Sequence, residues 1–160
     1  MGPELATYVE NVAGPMHPGE PIYIVGHSNG GNIAVIAAQN TVRIKLVIRL
    51  GSPPNGNAAK VDQYCKVLDV YDPLDRIGYG ASQAVGAAIS RPPDCANWRS
   101  VKVNAPWSRW DLFFHGQPRG LQKHVNMHTV DVWQQVAAWI KANQQFMKPG
   151  NGSPFYRLSH

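Results

Sequence analysis

An unbroken apolar run, Ile22-Tyr23-Ile24-Val25, leads straight into Gly26-His27-Ser28-Asn29-Gly30-Gly31, and a second run of small apolar residues, Ile33 to Ala38, follows at once. The first run is rich in β-branched side chains and shows no polar alternation, which suits a central strand buried on both faces of a parallel sheet. The second is long enough with its flanks for a buried helix that Asn40 can end. The backbone must therefore turn sharply from strand to helix, with a serine at the apex. A turn this tight strains its central residue, and side chains two positions before and after would collide with it, a demand that Gly26 and Gly30 meet.

This arrangement presents Ser28 at the carboxyl edge of a sheet and at the start of a helix. The free N–H groups and positive end of that helix favour an oxyanion, with the Asn29 N–H as the first donor. A phosphate-binding turn would instead carry G-x-G-x-x-G or Gly-Lys-Ser, and neither is present.

The rest of the chain alternates in the same way. Leu5, Tyr8, Val9 and Val12 have the spacing of an amphipathic helix, with Pro3 in its first turn and Gly14-Pro15 as its stop. Lys45 to Leu50 reads as a strand stopped by Gly51-Ser52-Pro53-Pro54, Lys66 to Tyr71 as another stopped at Asp72-Pro73, and Val101-Lys102-Val103 as a weaker fourth. Val132, Trp133, Val136, Trp139 and Ile140 form one stripe of a final helix, with Gln134, Gln135 and Lys141 off it. Strands alternating with helices predict an α/β fold, a parallel sheet of about four to five strands with right-handed crossovers. A chain of 160 residues supports one core, read here as a domain over 1–147. The segment 148–160, with Pro149, Gly150, Gly152 and Pro154, reads as a loosely held tail.

Composition narrows the partners. No stretch has the roughly 18 uninterrupted apolar residues of a membrane span. The net charge of +5 comes from scattered Lys and Arg, which reads as a solvated basic surface and not as a nucleic-acid patch. Met1-Gly2-Pro3-Glu4 does not resemble the start of a signal peptide. Cys65 and Cys95 are equally compatible with a disulfide and with two buried thiols.

Gly26-His27-Ser28-Asn29-Gly30-Gly31 after Ile22 to Val25 resembles the nucleophile elbow of the α/β-hydrolase superfamily, particularly its lipase- and esterase-like members. The resemblance implies the chain order Ser, then Asp or Glu, then His. The acid follows the strand after next from the elbow, which leaves Asp72 and Asp75. Asp75 is preferred, because Asp75-Arg76-Ile77 is similar to the family's Asp-x-Ile/Val stretch while Asp72-Pro73 is a standard turn starter. For the base the chain offers His115, His124 and His128. His124 lies eight residues before Val132 in a loop similar to the family's, and His128 is the runner-up.

The implied enzyme is a carboxylic ester hydrolase needing no cofactor and acting on a small-molecule or lipid ester. Ser28 attacks, His124 moves the proton, Asp75 orients it, and the Asn29 N–H holds the oxyanion. Trp107 to Phe114 is either an acyl-binding wall or lid, or ordinary loop packing. A full-length member has several strands and an oxyanion loop ahead of the elbow helix, whereas this chain begins at that helix. The resemblance thus covers the later part of the fold and predicts an exposed sheet edge open to homodimerisation. Two alternatives stand beside it: a non-catalytic binding or assembly module, and a metal site on His124-x-x-x-His128 with Asp131. The second lacks the glutamate of His-Glu-x-x-His, since Val125 stands in its place.

Overall fold

The computed structural model describes residues 1–55, 65–75, 96–106 and 123–148. Four strands form one sheet, β1 (Ile22–His27), β2 (Ile44–Leu50), β3 (Lys66–Tyr71) and β4 (Trp98–Lys102), in the order β1-β2-β3-β4. Every neighbouring pair is parallel, with Gly26 beside Arg49, Arg49 beside Asp69, and Val70 beside Val101. The protein is therefore of the α/β class. Because all strands run the same way, their carboxyl ends line one edge, and the residues that follow them, Ser28, Gly51, Asp72 to Asp75 and Val103 to Pro106, gather there. That edge is where open parallel sheets hold their ligands.

Each face of the sheet carries its own core. Helix α1 (Gly2–Tyr8) and helix α2 (Asn29–Ala38) cover one face, where Val9, Ala34, Val35 and Ala38 pack on Ile44, Val47, Val67 and Trp98. Helix α3 (Val130–Ala142) and the short α4 (Gln144–Met147) cover the other, where Val132, Val136 and Phe146 meet Leu46, Ile48, Leu68, Val70 and Val101. The alternation of strand side chains sorts the two sets, and each wholly buried Val or Leu contributes about 1.5–3 kcal/mol. The stripe expected on the final helix is the one found: Val132 and Val136 are buried, with Trp133, Trp139 and Ile140 packed against that core.

Four expectations need correction. Strand β1 is not central. Among the described residues it pairs with β2 alone, and Tyr23 and Val25 are 63% and 50% exposed. An apolar run without alternation reads the same whether or not a second layer covers it, and here Ile22 and Ile24 are packed while Tyr23 and Val25 on the other face are exposed.

The first helix buries only part of the expected stripe. Val9 is inside and Leu5 packs against the core, whereas Tyr8 and Val12 are exposed and Gly2 and Ala6 are inside in their stead. Small residues win this face because α1 lies close on α2: a Cβ on Gly2 would stand 2.3 Å from Ile36 Cγ2. Nor does Gly14-Pro15 stop the helix. A π-helical segment (Val9–Ala13) follows α1, and a last helical turn (Gly14–Met16) ends at His17. The wider π turn has already broken the regular bonding ladder when Pro15, which has no N–H to give, arrives.

Strand β4 begins at Trp98, ahead of the expected Val101. The Tyr-free segment Trp98-Arg99-Ser100 has little apolar periodicity, and it is strand because it pairs with Val67 to Asp69. No described helix is long and apolar enough to cross a membrane. Cys65 is buried, while Cys95, His115, the Trp107 to Phe114 stretch and the tail beyond Lys148 lie outside the described residues.

Candidate active site

Ser28 has φ 55° and ψ −131°, and among the described residues it is the one non-glycine with positive φ. Such a conformation costs about 1–3 kcal/mol and persists only where its surroundings over-determine it. Those surroundings can be named. The Ser28 N–H donates to Leu50 O at 2.9 Å, which ties the turn to the end of β2, and the Gly31 N–H donates to Ser28 O at 3.2 Å. A Cβ on Gly26 would lie 2.5 Å from the carbonyl carbon and oxygen of Gly30 and from Gly31 N.

The second tight position is Gly31 and not Gly30. A Cβ on Gly30 meets nothing within 4 Å, whereas one on Gly31 would stand 2.0 Å from Ser52 Oγ and 3.1 Å from Arg49 Cβ. The collision expected around the apex thus falls one residue later, where the first turn of α2 presses on the loop after β2. Ser28 is the N-cap residue of α2, yet its side chain makes no capping bond. Serine in this position ordinarily accepts from an N–H of the first turn. The turn withholds the hydroxyl from that role. Asn29, the first residue of α2, carries one of the N–H groups that have no acceptor within a helix.

A buried polar group secures the underside. Arg49 donates to Asn32 Oδ1 at 2.7 Å and to Pro53 O at 3.0 Å, pairs with Asp69 at 3.4 Å, and lies 5.1 Å over the Trp98 ring. Asn32 in turn donates to Pro53 O at 3.1 Å. Helix α2, the loop after β2 and strand β3 are thereby joined beneath the elbow.

The acid and base segments are joined by two parallel links. His124 Nδ1 lies 2.9 Å from Asp75 Oδ2, with both side chains buried. A carboxylate accepts, so Nδ1 carries a proton, and in a neutral ring held this way the lone pair is on Nε2. One residue back, the buried Lys123 pairs with Asp72 at 3.3 Å and donates to Asn104 Oδ1 at 2.8 Å and to Ala105 O. Asp72 also accepts from the N–H groups of Leu74 and Ala105, each at 2.8 Å. Asp72 is thus a turn former and ion-pair partner, and it is Asp75 that meets an imidazole.

Gly51, with φ +56°, lies over that pair. A Cβ there would stand 2.8 Å from Asp75 Oδ2, 3.0 Å from Met127 Cγ and 3.3 Å from His124 Nδ1.

His128 and Asp131 are exposed. Among the described residues no group of three or more His, Cys, Asp or Glu is placed to hold a metal. No hydrogen bond joins Ser28 to His124 among the described residues; the described connection between them runs through His27, whose Nε2 lies 2.8 Å from His124 O.

A family model described as Mbeg1-like matches residues 3–64. That is less than half of the chain. It takes in α1, β1, the elbow, α2 and β2, and ends before Asp75 and His124. No curated protein matches the chain, and no solved structure does.

From the sequence Gly31 is the last residue of the elbow motif and Gly51 stops a strand close enough to border the site, but neither had a role of its own there, and Lys123 had none, because its partner Asp72 is distant in the chain.

Proposed function

We propose that the protein is a serine hydrolase of carboxylic esters, lipase- or esterase-like, with the nucleophile elbow of the α/β-hydrolase superfamily. The observation that carries this reading is the strained, uncapped Ser28 on the same sheet edge as the buried Asp75–His124 pair. Ser28 Oγ adds to the ester carbonyl as His124 Nε2 takes its proton, and Asp75 steadies the imidazolium. The Asn29 N–H stabilises the oxyanion. Collapse of the tetrahedral intermediate releases the alcohol, which receives the proton from His124. Water, deprotonated by His124, then attacks the acyl-enzyme, and as the acid leaves His124 returns that proton to Ser28 Oγ. The substrate is a small-molecule or lipid ester, and no cofactor or nucleic acid enters the reaction.

Labelling with a fluorophosphonate tests the reading. Folded protein is expected to form an adduct on Ser28 and to hydrolyse short-chain p-nitrophenyl esters; folded protein that leaves Ser28 unmodified contradicts it.

A second reading, a binding or assembly module without turnover, is favoured by one feature: Asn29 is the one oxyanion donor assigned. A single donor is worth roughly 10²–10³ in rate. This reading predicts no ester turnover and a dimer formed through the open edge of β1, where Tyr23 and Val25 are exposed and no charged residue interrupts the strand. Sedimentation together with the esterase assay separates the two readings.

A further inference from the structure

We infer that His27 is a positioning residue that holds the base segment against the strand carrying the nucleophile. The role of that tether in catalysis rests on the esterase reading; the tether itself does not.

The argument begins with strand alternation. Ile22 and Ile24 pack on the α1 and α2 side, so Tyr23, Val25 and His27 belong to the opposite face. Tyr23 and Val25 find no cover there. His27, at the end of β1, meets the segment 123–128. Its ring centroid lies 4.7 Å from that of His124 and 5.7 Å from that of His128, so the His27 ring contacts both imidazoles.

The polar contact is specific. His27 Nε2 is 2.8 Å from the carbonyl oxygen of His124. A carbonyl can only accept, so Nε2 carries a proton and His27 donates.

The other bonds around the base segment come from the far side of the site. Lys123 reaches Asp72, Asn104 and Ala105, Asn126 donates to Pro106 O, and His124 meets Asp75. These anchor the segment to the ends of β3 and β4. The bond to Asp75 sets the rotation of the His124 ring, and none of these bonds runs to β1 itself. The His27 bond does, from a backbone position fixed by its pairing with Leu50 and one peptide unit from Ser28. Proton transfer between nucleophile and base is sensitive to displacements near 1 Å, which cost about 10²-fold in rate.

The test compares His27→Gln, whose amide nitrogen can reproduce the Nε2 donor, with His27→Phe, which keeps a ring and loses the donor. Two readouts are taken on the full chain: amide hydrogen exchange over residues 123–128, and kcat and KM for p-nitrophenyl butyrate. The Phe variant is expected to lose exchange protection in this segment and to fall about 10²-fold in kcat with KM little changed. The Gln variant is expected to keep the protection and to remain within a few-fold of the parent rate. His27→Ala replaces the Phe variant if the latter does not fold.

Unchanged exchange in the variants without a donor, or equal losses in Gln and Phe, overturns the tether. Lost protection with an undiminished kcat overturns its part in catalysis. If the parent protein itself shows no turnover and no Ser28 labelling, the esterase reading fails, and the exchange comparison still decides whether His27 holds the segment.

Discussion

His124 Nδ1 and Asp75 Oδ2 meet at 2.9 Å beneath a glycine, and the space that lets them meet is the missing side chain of Gly51. Gly51→Ala adds a methyl 2.8 Å from the carboxylate and 3.0 Å from Met127 Cγ, at a φ of +56° that disfavours any side chain. The strain and the crowding together are expected to cost about 1–3 kcal/mol. Thermal unfolding measures that loss. Labelling of Ser28 by a fluorophosphonate, taken well below the transition, is expected to slow as well, because the pair must separate to admit the methyl. Unchanged labelling would show that the pair does not serve Ser28.

The two aspartates of the acid segment are expected to fail differently. Asp75→Asn leaves Asp72 and Lys123 in place and removes the acceptor that selects the His124 tautomer, so ester hydrolysis should fall by about 10⁴-fold with little change in unfolding. Asp72→Asn removes the carboxylate charge that faces the buried ammonium of Lys123, a loss expected to cost up to about 3–5 kcal/mol, while the Asp75–His124 pair keeps its own bond. Denaturant unfolding and turnover measured on both variants separate these roles. A stable Asp72→Asn protein, or an active Asp75→Asn protein, would reverse the assignment.

How much of this was legible in the chain depends on the range of the contact concerned. The turn at Ser28 is local: an apolar run, two glycines and a small apolar helix already require it, and the structure puts Ser28 at φ 55°. The preference for Asp75 over Asp72 rested on the resemblance of Asp75-Arg76-Ile77 to a family stretch and on a local reading of Asp72 as a turn former, and the bond from the Leu74 N–H to Asp72 Oδ1 is that turn. The ion pair to Lys123 could not be read, because it depends on folding that brings distant segments together. The exposure of Tyr23 and Val25 was missed for a related reason, since burial of a strand face is decided by what other parts of the chain lay over it. The π segment in the first helix was not legible either, since Val9 to Ala13 carry no residue that marks a change from α to π bonding.

The elbow glycines offer a sharper contrast. Gly30→Ala adds a methyl into open space and is expected to be tolerated, while Gly31→Ala drives one to 2.0 Å from Ser52 Oγ and 3.1 Å from Arg49 Cβ. Overpacking of this kind costs about 1–3 kcal/mol. Ser52 Oγ is buried and has no hydrogen-bond partner among the described residues, so Ser52→Ala alone should cost little. Combined with Gly31→Ala it should recover part of the loss. A double-mutant cycle on unfolding free energy reads the coupling, and strict additivity would mean that the clash is relieved elsewhere.

The last prediction concerns acid. Glu10, in the π segment, accepts from the Thr41 hydroxyl and from Arg43 Nε at 2.9 Å, which ties the first helix to the approach to β2. The Thr41 bond above all, opposed by burial and helped by Arg43, holds the Glu10 carboxyl below its ordinary value of 4.5. A carboxylate whose value is lowered in the folded state contributes stability that is fully present above the unfolded value and is lost as the pH falls through the folded one. The contribution is therefore present at neutral pH and disappears below about 4.5. The Glu10 and Arg43 side chains are both more than a third exposed, so solvent screening keeps the ion pair's share under about 1 kcal/mol. Glu10→Gln should lower stability modestly at pH 7, and the gap from the parent should close as unfolding is repeated at successively lower pH. A gap that does not narrow as the pH falls below 4.5 would show that the side chain acts through packing or hydrogen bonding and not through its charge.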